Sequence, residues 1–487
     1  MNNIVRTKIL IVGSGGNGIS CGAHFKRAGL DEFVIITRHS DFGGVWYQNR
    51  YPGCCTDLPV QSYQLRFAQR LLWPQTHATS SQMREYLQEV AAENDLYRHA
   101  HFDTELLEAE WLDEEACWRV KTNKRTYYAE FLLPATGCLD EPSFPEIPGI
   151  DAFKGRKFHS AQWPEEYTGA NDRIAVVGSS SSAVQIIAAV QKIAAKVVVL
   201  QRSPSFVVPL LDKKVFTQEE LAEHERNPGR IEQQRQQVKR VFDQLWTDVL
   251  FGRDPELIAK MEREVLEYIG AQVLDPELRK LVTPHGGIAA RRMTMNDDYY
   301  SAIQKPNVEL VPEAAAAVGE HSVITASGRE IEVDTVVFAT GFVVMGSVLS
   351  RVNRRDGVIV RQYQKGHPRA YKATSIAGCP NMFLVACAPN SIVWDGFHGG
   401  MTHPVYVMKA LEYMQEHGIR ALEVKEEEEL AWKKKTDELL DHVPTARVKN
   451  SIVKDETGHN KAFWPGTPES MTAAHSVFDP AAYNVVA

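Results

Sequence analysis

The strongest constraint on this chain is an order of elements that occurs twice. The short apolar run Lys8-Ile-Leu-Ile-Val12 ends in Gly13-Ser-Gly15-Gly-Asn-Gly18, and Ile19-Ser-Cys-Gly-Ala-His-Phe-Lys follows with helical spacing. Much later, Ile174-Ala-Val-Val177 ends in Gly178-Ser-Ser180-Ser-Ser-Ala183. Each half then closes on the same tripeptide, Ala-Thr-Gly at 135–137 and again at 339–341, the second after Thr335-Val-Val-Phe338. A β-branched run, a tight turn and a helix in that order build βαβ units on parallel sheets. The fold class expected is α/β, with two Rossmann-like halves and helices inserted in the second.

The glycine spacing has a physical reading. In G-x-G-x-x-G the first glycine makes the turn, the second lets a pyrophosphate approach the backbone, and the third lets helix and strand pack closely. The helix N-terminus then faces the phosphates. Gly13, Gly15 and Gly18 meet all three demands. The next strand, Phe33-Val-Ile-Ile36, is expected to end in an acid for the ribose hydroxyls, but Thr37 and Arg38 stand there. The second motif is degenerate, with Ser180 at the second glycine and Ala183 at the third. Its following strand, Lys196-Val-Val-Val-Leu200, ends in Gln201-Arg202-Ser203-Pro204. A guanidinium there suits the 2′-phosphate of NADP through charge-assisted bonds.

Composition narrows the partners. The 487 residues carry a formal net charge of −8 and no long basic stripe, which argues against nucleic acid or an anionic membrane surface. No apolar run is long enough for a bilayer, and the N-terminus lacks a charged segment followed by a cleavable apolar one. Seven cysteines without C-x-x-C read as reduced thiols, so a cytoplasmic location is expected. No His, Cys and carboxylate cluster has metal-site spacing, so no metal is expected.

Two further segments carry a resemblance. Between the cradles the chain reads Phe153-Lys-Gly155-Arg-Lys-Phe-His159-Ser-Ala-Gln-Trp163-Pro164. After the first cradle it reads Gly43-Gly44-Val-Trp46-Tyr-Gln48-Asn-Arg-Tyr51-Pro-Gly53-Cys-Cys-Thr-Asp57. These resemble F-x-G-x-x-x-H-x-x-x-W-P and G-G-x-W-x-x-x-x-Y-P-G-x-x-x-D of the flavin-dependent Baeyer–Villiger monooxygenases, although Gln48 stands where that family usually has tryptophan. Gln201-Arg202-Ser203-Pro204 and Phe338-Ala-Thr-Gly-Phe342 resemble further family segments, with Val343 in place of the usual aspartate.

The resemblance implies FAD in the first half and NADPH in the second. It implies a monooxygenase that inserts one atom of O2 beside a carbonyl of a small molecule through a C4a-peroxyflavin. Arg291-Arg292, followed by Tyr299-Tyr300, resembles the segment bearing the family's active-site arginine, which maps to Arg292; its carboxylate partner maps to Asp57. Gly43, Gly44 and Trp46 would wrap the flat cofactor. Phe153, Gly155, His159, Trp163 and Pro164 would couple the two halves rather than do chemistry, with Gly155 supplying an unusual backbone angle.

The domains expected are 1–142 with 345–487 for FAD, 150–210 with 286–343 for NADP, and a helical subdomain at 211–285. The proline-rich stretch 138–149 is the crossing. Two other readings stay open. One is oxygenation of nitrogen or sulfur, which the Trp163-Pro164 ending disfavours; the other is a flavin reductase that transfers no oxygen.

Overall fold

A computed structural model describes residues 4–290, 293–344, 348–447 and 453–487. Two parallel sheets form, one on each glycine turn. In the first, Ile4–Val12 lies between Phe33–Ile36 and Thr126–Pro134, with Ala100–His101 beyond Phe33–Ile36. Cys117–Thr122 and Leu106–Leu112 extend it antiparallel. The second sheet runs Val308–Val311, Lys196–Leu200, Arg173–Val177, Thr335–Phe338 and Arg156–His159, every pairing parallel. Ile9, Leu10 and Ile11, like Val197, Val198 and Val199, are buried. Central strands covered on both faces read as unbroken apolar runs for that reason.

The internal repeat goes further than its glycines. Each sheet makes an antiparallel excursion just before its Ala-Thr-Gly strand. In the second half this is a three-stranded sheet of Ala315–Val318, Ser322–Thr325 and Glu330–Glu332. The helical insertion is present as Gln218–Arg226, Pro228–Gln244, Pro255–Gln272 and Pro276–Val282. Its helix starts are written in the sequence. Thr217 and Glu220 form a reciprocal capping box, and Asp254 and Asp275 each cap a helix whose first residue is proline.

The Phe153–Pro164 motif is more than a linker. Arg156–His159 is the edge strand of the second sheet, pairing in register with Thr335–Phe338. Gly155 does not have a positive φ, which corrects the expected unusual angle. Glycine is needed there for space, since a Cβ would lie 2.2 Å from the Asp334 carbonyl oxygen. The chain crosses between the sheets twice, and the crossings lie side by side. Glu141–Pro142 pairs antiparallel with Phe342–Val343, and Ser143 N–H donates to the Gly341 carbonyl at 2.9 Å.

After the second crossing the chain returns to the first sheet, where Met382 bridges Leu132. The helix His398–His417 then brings its N-terminus against that of Gly16–Arg27. Phe397 packs on Gly16, and Asn17 packs on Gly400. Among the described residues no helix is long and apolar enough to cross a membrane.

Candidate active site

The first cradle is built from contacts that exclude side chains. A Cβ on Gly18 would fall 1.8 Å from the Gly13 carbonyl oxygen, and one on Gly44 would fall 2.5 Å from the Gly15 Cα. Gly43 N–H donates to the Ser14 carbonyl at 3.0 Å, which fastens the second glycine pair against the first turn. The helix Gly16–Arg27 has Gly15 at its cap and no side-chain cap bond, so its first N–H groups are left for an anion. Trp46 is half-buried, and its Nε1–H is buried without a hydrogen-bond partner. It stands edge-on to Tyr63 at 5.8 Å, and Tyr63 in turn lies 4.7 Å from Phe397. A bare backbone cradle, an aromatic wall and an orphaned buried donor fit a flat dinucleotide such as FAD.

Thr37 ends its strand buried. Its Oγ1 accepts from Ser14 Oγ at 2.9 Å and from His39 N–H at 3.2 Å, so the hydroxyl keeps only its own proton to donate outward. Arg38 turns to the crossing, donating to the Asp140 carbonyl at 2.8 Å and pairing with the Asp140 carboxylate at 2.9 Å. Gln48 joins the same group, its Nε2 donating to the Asp140 carbonyl at 3.2 Å. Arg38, next to the departure at Thr37, and Gln48 are therefore neighbours on one linker residue.

In the second cradle Gly178 follows Arg173–Val177, and Ser180 caps Ser181–Val190 without a side-chain cap bond. Ser180 is exposed and Ala183 is buried. Arg202 is exposed beyond Lys196–Leu200 and makes no ion pair among the described residues. A helix start with a free hydroxyl and an uncommitted guanidinium fits the phosphates of NADP.

The segment from Gly43 to Asp57 joins the two cradles. At one end Gly44 touches Gly15. At the other, a Cβ on Gly53 would fall 2.8 Å from the carbonyl oxygen of Gln185, in the second cradle's helix. Tyr51 O–H donates to Gln185 Oε1 at 3.0 Å, and Gln185 Nε2 donates to the Cys55 carbonyl at 3.2 Å. Trp46 packs against the cores of both halves. Nothing in the local pattern at Gln185 or Tyr63 marks them as site residues; only the approach of distant segments does.

Arg291 and Arg292 lie outside the described residues, but their neighbours do not. Thr294–Met295 pairs with Val207–Val208. Asp297 accepts from Leu210 N–H at 3.0 Å and pairs with Lys213 at 2.9 Å. Burial, aided by the charges of Asp57 and Asp297, pushes the Cys55 thiol up to about 11, so the half-buried Asp57 and the stretch following Arg292 share one neighbourhood. Cys54, held up to about 12 by burial, and Cys55 are free, and neither has the thiolate character of a redox nucleophile.

The linker residues are packed rather than open. His159 is buried, its Nδ1 accepts from Ala161 N–H at 3.1 Å, and burial lowers its pKa to about 4. Its ring meets Phe144 and Phe342, one from each crossing, at 5.5 and 5.4 Å. Phe153 and Trp163 are buried; Trp163 Nε1–H donates to the Tyr167 carbonyl at 2.9 Å, and half-buried Pro164 opens the turn between them.

Residues 10–245 match the sequence family described as pyridine nucleotide-disulphide oxidoreductase. A Baeyer-Villiger monooxygenase of Streptomyces coelicolor is 30% identical, across 98% of this chain and 92% of that protein. An FAD-binding monooxygenase of Emericella nidulans is 29% identical, across 95% of this chain and 80% of that one. The crystal structure of cyclohexanone monooxygenase from Rhodococcus sp. Phi1 bound to NADP+ superimposes with a TM-score of 0.86 at 25% identity, covering 97% of each chain.

Proposed function

This chain belongs to the Baeyer–Villiger monooxygenase family, and from that premise we propose how its own residues serve the reaction. It is an FAD- and NADPH-dependent monooxygenase that inserts one oxygen atom of O2 beside the carbonyl of a small molecule, giving an ester or lactone. Reduced by NADPH, bound FAD supplies the activation of oxygen. The observation that carries the reading is the Gly43–Asp57 segment, whose contacts with both cradles support two cofactors held close to one another.

Gly13, Gly15, Gly18, Gly43 and Gly44 clear backbone for the FAD pyrophosphate, and Trp46 offers its unpartnered Nε1–H. Thr37 has one proton to offer in place of the ribose acid, and Arg38 stiffens the adjoining turn through Asp140. Gly178, Ser180, Ala183 and Arg202 serve NADPH, with Arg202 on the 2′-phosphate. Arg292 is the fixed cation that favours negative charge on oxygen in the transition state, and Asp57 holds it in place. The placement of Thr294–Asp297 beside the Asp57 loop supports that pair.

The deciding experiment is turnover with NADPH under isotopically labelled oxygen, against panels of ketones and of amines and sulfides. One labelled atom in an ester or lactone is the expected result. Label on nitrogen or sulfur alone, or NADPH consumption without labelled product, would overturn the reading. Arg292→Ala should still oxidise NADPH while product formation falls by about 10²–10³-fold; near wild-type product formation would remove Arg292 from this role.

A further inference from the structure

The loop that ends in Asp57 is held from two sides, and the two grips alternate along its backbone. Cys55 and Thr79 form an antiparallel bridge whose hydrogen bonds belong to the flanking residues. Ser80 N–H donates to the Cys54 carbonyl and Thr56 N–H to the Ala78 carbonyl, each at 2.9 Å. In a pair of this kind the central residue turns its own backbone groups away from the bridging strand. The Cys55 carbonyl therefore faces the second half, and Gln185 Nε2 donates to it at 3.2 Å. Gln185 lies on Ser181–Val190, the helix that starts at the second cradle. One side chain thus ties a loop of the first half to the helix whose N-terminus fits the NADP phosphates.

Local chemistry fixes how Gln185 sits. A backbone carbonyl only accepts, so the amide turns Nε2 to Cys55 and Oε1 to Tyr51, whose O–H donates at 3.0 Å. The Tyr51 hydroxyl also meets Ser182, in the first turn of the same helix. Gln185 is 5% exposed and Tyr51 7%. The packing around them is apolar, since Tyr51 and Cys54 belong to the second half's core together with Ala183 and Ile186. A buried amide in such a core is tolerated only when both of its ends are bonded. Here both are, and both bonds run from the helix to the loop. A shift of the helix is therefore carried to Cys55, two residues before Asp57.

We infer that Gln185 is a positioning residue that couples occupancy of the second cradle to the Asp57 loop. Phosphates seated at the helix start fix Ser181–Val190, Gln185 fixes the Cys55 carbonyl, and Tyr51 holds the amide from its other end. Asp57 is thereby set to hold Arg292. That last step rests on the proposed function; the link from helix to loop does not.

Hydrogen–deuterium exchange of the FAD-loaded full chain, with and without NADP+, reads the link without turnover. NADP+ should slow exchange at residues 54–58 of the wild type by about tenfold, as for one buried hydrogen bond made firm. Gln185→Met keeps the length and burial of the side chain, and Gln185→Leu keeps its burial alone, so one folded variant suffices. In that variant NADP+ should bind within about threefold of its wild-type affinity by fluorescence titration, yet leave exchange at 54–58 unslowed. A merely structural glutamine would instead raise exchange equally with and without NADP+, and that result overturns the proposal. So does wild-type slowing in the folded variant, or a wild-type loop that ignores NADP+. In turnover, ketone product per NADPH should fall about tenfold while the KM for NADPH changes by less than about threefold. Wild-type product per NADPH in a variant whose loop no longer responds overturns the role in the reaction. If the loop responds through Gln185 but the wild type oxygenates no ketone, it is the proposed function that fails and the link stands.

Discussion

In the proposed function Arg202 sets nicotinamide selectivity, with a side chain that pairs with no acid among the described residues. A guanidinium exposed past a strand end, with no acid paired to it among the described residues, contributes its full charge to a 2′-phosphate. Arg202→Ala should therefore raise the KM for NADPH by about 10–100-fold, the worth of one or two charge-assisted hydrogen bonds. NADH, which lacks the phosphate, should be used as before, and an equal loss with both in steady-state assays would refute the role. Gly155 argues differently, from space. A Cβ 2.2 Å from the Asp334 carbonyl forces the edge strand away from its partner, so Gly155→Ala should cost about 1–3 kcal/mol of stability. Calorimetric melting of the variant tests this, and an unchanged Tm would show that the strand yields freely. Residue identities made both sites visible in the sequence, but not their partners. That Thr37 is bonded by Ser14, and that Arg38 and Gln48 share Asp140, depends on segments as much as 102 residues apart, which no local pattern encodes.

At the scale of elements, the F-x-G-x-x-x-H-x-x-x-W-P motif does two jobs with one strand. Its middle closes the second sheet as an edge strand, and its histidine sits between the two crossings. Because the crossings pair with each other through Glu141–Pro142 and Phe342–Val343, any rotation of one sheet against the other passes this ring. His159→Ala should leave NADPH oxidation running but lower the product formed per NADPH by several-fold. A purely structural loss would instead reduce both together, so the ratio is the measurement that decides. The strand escaped the sequence reading for a physical reason. Arg-Lys-Phe-His shows neither the alternation of a half-buried strand nor the apolar run of a central one, and its partner lies more than 170 residues onward. The inserted helices, by contrast, are legible in local composition and spacing, as in Glu219-Glu-Leu-Ala-Glu, and the structure adds the local caps Thr217, Asp254 and Asp275.

Across the whole molecule, buried titratable groups set the pH at which the fold is strongest. Burial lowers His159, His398 and His475 to about 4, and His403 well below its ordinary value. Each stabilises the fold above pH 6.5, and that contribution is lost as pH falls toward the folded pKa, at about 3 kcal/mol per ring. Two carboxyls act in the opposite sense. Burial raises Asp395 to about 6 and Glu429 to about 7, so each favours the fold below its unfolded pKa and loses that advantage as pH rises through the folded one. The histidines outnumber the acids. Near pH 5 these six groups together therefore bind on the order of two more protons in the unfolded chain, and their combined contribution falls with acid by about 3 kcal/mol per pH unit. The opposing acid term can be isolated at Asp395, which caps Phe397 N–H at 3.1 Å and faces Arg66 at 3.6 Å. Asn in its place keeps an acceptor but never ionises. Asp395→Asn should thus gain on the wild type by about 1.4 kcal/mol between pH 5 and pH 8 in urea titrations. A difference between the two proteins that stays constant over that range would mean that the Asp395 carboxylate is ionised in the fold at pH 5 as well, its burial offset by Arg66.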